Sequence, residues 1–83
     1  MKTAEEIEQL VMARLDNVRV FVEGDGRHFQ VVVVGDCFSG LSKLKRQQLV
    51  YAALMDEITS GELHAVNIKT YTPKEWGEES DEY

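Results

Sequence analysis

The feature that most restricts the fold is a change of hydrophobic period on either side of one glycine-rich turn. Val18, Val20 and Val22 alternate with Arg19, Phe21 and Glu23, and Val31, Val32, Val33 and Val34 run on without a break after His28. Strict alternation marks a half-buried strand, while four β-branched residues in succession mark a strand buried on both faces. Between the two stands Gly24-Asp25-Gly26-Arg27. Its residues tolerate the positive φ angles that tight hairpin turns demand. The spacing therefore predicts an antiparallel hairpin, ended by Gly35-Asp36.

Helical periodicity flanks this hairpin. Thr3 and Glu6 form a capping box ahead of Ile7, Leu10, Val11 and Leu15, which predicts a helix over 4–15 that stops at Asp16-Asn17. After the loop Cys37–Leu41, Ser42 is suited to cap a helical region that reaches Ser60, with Gly61 as its C′ residue. Leu41 and Leu44 fall on one stripe. Val50, Ala53, Leu54 and Ile58 fall on another, displaced around Lys45-Arg46-Gln47-Gln48, so a short helix followed by a longer one is expected. Leu63–Tyr71 reads as a third strand with His64, Val66, Ile68 and Thr70 on one face. Thr72-Pro73-Lys74-Glu75 is a second capping box, opening a short helix that holds Trp76. The order αββααβ plus a terminal helix predicts one α/β domain, a two-layer α+β sandwich over residues 1–77. The acidic residues from 78 to 83 are expected to form a disordered tail.

Bulk properties narrow the function. No apolar run approaches the ~20 residues of a membrane span, and the N-terminus lacks the apolar core of a signal peptide. One cysteine, Cys37, cannot form an internal disulfide. A cytoplasmic protein with no membrane partner is expected. Nine basic and fifteen acidic residues give a net charge of −6. Such a chain repels nucleic acid as a whole, and phosphate contacts would need a local cluster. Lys43, Lys45 and Arg46 form one, to be weighed against an ordinary solvated helix face. Arg27 and Lys69 could extend it if the fold gathers them.

No nucleophile triad, carboxylate pair or phosphate cradle stands in the sequence, so no enzyme is expected. Cys37 reads as a small hydrophobe beside Phe38. The two histidines draw more attention, because imidazole titrates near neutrality and is a common ligand of iron, zinc and copper. His28 follows the glycine turn and His64 opens the third strand, 36 positions later. That separation matches no local zinc pattern. Two ligands would leave a metal to be completed by a second molecule. The bland alternative is a pair of surface histidines.

Taken in order, Gly24–Val31, Phe38-Ser39-Gly40-Leu41-Ser42, Lys45–Tyr51, Leu63-His64-Ala65-Val66 and Thr72–Trp76 resemble the BolA family, in particular its short bacterial branch. The resemblance spans roughly residues 4–76. It implies a class II KH-like fold and a non-catalytic adaptor or regulator. In that reading a monothiol glutaredoxin partner and its glutathione share a [2Fe–2S] cluster with His64 and, from the hairpin loop, His28. The resemblance also implies an alternative, a DNA-binding transcriptional regulator of stress responses, for which Lys43, Lys45 and Arg46 would touch phosphates. The apolar loop residues Phe38 and Leu41 suggest a weak homodimer.

Overall fold

In the computed structural model, residues 2–79 are described. They form α1 (Ala4–Arg14), β1 (Val18–Gly24), β2 (His28–Gly35), a 3₁₀ turn at Asp36–Phe38, α2 (Lys43–Ala53), α3 (Met55–Thr59), β3 (Ala65–Tyr71) and α4 (Pro73–Glu79). Local chemistry sets the helix starts. Thr3 and Glu6 cap α1 reciprocally, with N–H to side-chain distances of 2.8 and 3.2 Å. Ser42 accepts from the Lys45 N–H at the start of α2. Thr72 and Glu75 repeat the reciprocal box at α4, at 2.9 and 3.2 Å. Each box satisfies backbone donors that the first helical turn leaves open.

The sheet order is β1-β2-β3, with β1 antiparallel and β3 parallel to the central β2. Register aligns Val20 with Val33 and Val22 with Val31 on one side, and Phe29 with Val66 and Val31 with Ile68 on the other. These residues share the face on which α1, α2 and α3 pack. Ile7, Val11, Phe29, Val31, Val33, Phe38, Val50, Leu54, Leu63 and Ile68 form the core. The opposite face carries Phe21, Gln30, Val32, Asn67 and Lys69. Its far end is clasped by α4, where the Trp76 ring stacks on Phe21 at 5.4 Å and meets Tyr71 at 5.2 Å. A central strand covered from both sides explains the unbroken valine run, in which Val31, Val33 and Val34 are buried.

Four expectations require correction. The longer helix comes first and the break falls at Leu54, not near residues 45–48. The buried stripe is in fact continuous through Arg46, Val50, Ala53 and Glu57, a helical spacing whose two ends are charged. Leu44, assigned to the apolar stripe, is 67% exposed. The final helix runs two residues past Gly77 to Glu79, so Glu78 and Glu79 are not a disordered tail. Residues 80–83 of that expected tail lie outside the described residues. Phe38 is fully buried, which removes it from any homodimer surface.

Candidate functional site

The hairpin turn is held by its own aspartate. Asp25 Oδ1 accepts from the backbone N–H groups of Arg27 and His28, each at 2.9 Å. These donors, His28 first, hold the Asp25 carboxyl below its ordinary range. Gly26 sits at φ 96°, a value that a side chain would oppose. His28 then begins β2 on the face away from the three packed helices, with its side chain 76% exposed and its Nδ1 3.9 Å from Asp25 Oδ1.

His64 reaches the same end of the sheet by a different route. Leu63 is buried, and its N–H donates to the Glu57 carbonyl at 3.1 Å, anchoring the chain as it leaves α3. Ala65 N–H donates to the Arg27 carbonyl at 3.2 Å and starts the parallel ladder. His64 is the exposed residue between those two anchors. It stands just outside β3, not inside it as the sequence suggested, so strand alternation does not fix its face. Register pairs His28 with Ala65. His64, one residue before Ala65, therefore stands next to the position that faces His28 across strands ~4.8 Å apart.

Chemically, two exposed imidazoles at one rim can present neutral nitrogen donors to an outside metal. Among the described residues no group of three His, Cys, Asp or Glu side chains could hold a metal ion. The donor set thus fits a shared site and not a self-sufficient one. Cys37 lies on the surface after β2, not packed as a small hydrophobe. Partial desolvation, with the Asp36 carboxylate adding to it, raises its pKa and keeps the thiol protonated.

The basic cluster divides. Lys43 and Lys45 are exposed at the start of α2, but Arg46 is 7% exposed and taken. Its Nε donates to the Leu41 carbonyl at 3.0 Å, and its two Nη atoms reach the Glu75 carboxylate at 2.7 and 3.3 Å. Arg46 therefore ties α4 to α2 and is no phosphate contact. Lys69 joins Lys43 along one groove, whereas Arg27 lies in the hairpin at the histidine end. The sequence reading passed over this Arg46–Glu75 tie and the Arg14–Glu57 pair, at 2.8 Å. A charged residue at helical spacing with an apolar stripe was the available signal.

The family profile described as BolA-like protein matches residues 8–75. The chain belongs to the BolA-like family. The acid stress protein IbaG of Escherichia coli K12 is 51% identical over 71 residues, covering 86% of this chain and 84% of that protein. A BolA protein homologue from Coxiella burnetii superposes with a TM-score of 0.83 at 43% identity, covering 92% and 97% of the two chains. Yeast Fra2 gives a TM-score of 0.75 at 34% identity, covering 90% and 84%. The BolA-like fold is thus the α+β sandwich described above. Among the described residues no helix is long and apolar enough to cross a membrane.

Proposed function

We propose that this BolA-like chain is a non-catalytic adaptor that pairs with a monothiol glutaredoxin and shares a [2Fe–2S] cluster with it and with glutathione. His64 and His28 are the ligands this chain would contribute. The single observation that carries the reading is the register of His28 with Ala65, which gathers two exposed imidazoles, 36 positions apart in sequence, at one end of the sheet.

The chain's own part in this is to present and orient. The Asp25 turn holds the backbone at His28, and the Leu63 and Ala65 hydrogen bonds hold it on either side of His64. Histidine ligation raises the potential of a [2Fe–2S] centre relative to thiolate ligation. A ligating imidazole must be neutral, so protons compete with the metal. An adaptor of this design responds to acid, a property in keeping with the acid-stress name of its Escherichia coli relative.

The test is anaerobic mixing with a monothiol glutaredoxin, iron, sulfide and glutathione, followed by visible absorption and circular dichroism. His64→Ala should abolish the mixed-ligand spectrum, and His28→Ala should weaken or alter it. An unchanged spectrum for His64→Ala overturns the proposal.

A further inference from the structure

Among the described residues β3 is an edge strand, hydrogen-bonded to β2 on one side alone. Its ladder opens with the Ala65 N–H on the Arg27 carbonyl. Along a parallel strand alternate residues turn their backbone groups to the neighbour. Ala65, Asn67, Lys69 and Tyr71 therefore face β2, and Val66, Ile68 and Thr70 present N–H and C=O outward. Among the described residues one group reaches that outer row, the side-chain amide of Gln47, which donates to the Ile68 carbonyl. An amide N–H already stands where an added strand would place one.

Next to this row a groove of about 380 Å³ is lined by Lys43, Gln47, Ile68, Lys69, Thr70 and Tyr71. Among the described residues two cations and no acid line it. They flank the edge from opposite sides: Lys69 projects on the face away from the core, and Lys43 belongs to α2, which packs on the core face. Exposed edges are natural templates for a further strand, and proteins block those that must not pair. An adjoining cavity shares Lys43, Thr70 and Tyr71 with this groove and is lined as well by Glu75, which Arg46 holds, and by Glu78, so the acid-free stretch of the edge is the Ile68–Lys69 end.

We propose that the outer edge of β3 receives an acidic, extended segment of a partner protein as an added strand. Backbone pairing to Ile68 N–H and to both groups of Thr70 supplies the affinity, as in other strand additions. Acidic side chains alternate above and below the added strand, so they meet Lys69 on one face and Lys43 on the other. Strand addition uses the backbone edge as well as both lysines, whereas a nucleic acid attracted to the lysines has no peptide groups with which to continue the ladder. The site is separate from the histidine rim and stands whether or not the cluster-sharing reading holds.

The experiment is an amide NMR titration of the full chain with a blocked alternating valine–glutamate hexapeptide. Ile68 and Thr70 amides should shift, and their hydrogen exchange should slow about tenfold or more on binding. The double variant Lys43→Glu, Lys69→Glu changes only exposed side chains and should keep its circular dichroism spectrum while binding about tenfold more weakly. A copy of the peptide N-methylated at alternate residues should not bind. The proposal is overturned if the hexapeptide leaves Ile68 and Thr70 unmoved, if the N-methylated or a valine–lysine peptide binds equally well, or if oligothymidylate alone occupies the groove.

Discussion

Replacing Arg14 by alanine should cost this protein far more than replacing the residue it pairs with. Arg14 donates to both Glu57 carboxylate oxygens at 2.8 and 3.2 Å and to the Ala53 carbonyl at 2.7 Å. Its side chain is 36% exposed, while that of Glu57 is 8% exposed. Arg14→Ala strands a carboxylate inside the protein, a change that costs ~3–5 kcal/mol when the abandoned charge stays buried. Glu57 lies near a helix end, which favours the lower figure. Glu57→Ala leaves a guanidinium that can turn to water and keep its bond to Ala53, for a loss of ~1 kcal/mol. At ~4–8 °C per kcal/mol for a domain of this size, Arg14→Ala should lower Tm by about 12–24 °C and Glu57→Ala by about 4–8 °C.

The pH dependence should differ in sign between the wild type and this variant. In the wild type the Glu57 pKa is lowered from 4.5, first by its hydrogen bond from Arg14 and against the opposing effect of burial. That stabilisation is complete above 4.5 and is lost as pH falls through the depressed value. Without Arg14, burial governs and raises the Glu57 pKa, so the variant's deficit is greatest at neutral pH and shrinks on acidification. Urea unfolding followed by far-ultraviolet circular dichroism at pH 7, pH 5 and pH 3 measures both effects. Equal losses below 1 kcal/mol for the two variants, with no dependence on pH, would refute the reasoning.

Three further outcomes follow from the same geometry. The Glu75 carboxyl is lowered to about 2, chiefly by the hydrogen bonds from Arg46, so α4 should stay docked above pH 4.5 and loosen as pH falls through about 2; Trp76 fluorescence should report this, and Glu75→Gln should remove the transition. A Cβ at Gly24 would collide with the Phe29 ring and the His28 carbonyl, so Gly24→Ala should cost ~1–3 kcal/mol in urea unfolding and move the His28 amide resonance; wild-type stability and an unmoved resonance would disprove the contact. Phe38 is fully buried, so Phe38→Ala should cost ~3–5 kcal/mol, much of a typical domain's ~5–15 kcal/mol, and a melting curve close to wild type would contradict its place in the core.

Much of the fold was legible in the chain because its signals are local. The two capping boxes, the Asp25–Gly26 turn and the alternation of Val18, Val20 and Val22 each act within a few residues. Each was found where the local chemistry put it. The break in the central helical region was misplaced because the buried stripe of α2 and α3 includes Arg46 and Glu57. Periodicity arguments read charge as exposure. Only knowledge of Glu75 and Arg14, dozens of residues away, makes those positions interior.

By itself, then, the sequence determined the element types, the hairpin and the placement of both histidines at element ends, since propensity, capping and turn geometry operate over short stretches of chain. The tertiary structure alone decided that β3 lies parallel to β2 with Ala65 against His28, so that two distant imidazoles share a rim. It also withdrew Arg46 from the surface and left the outer edge of β3 beside Lys43 and Lys69. Strand order and ion pairing over long separations depend on how the whole core closes, and no local pattern encodes that closure.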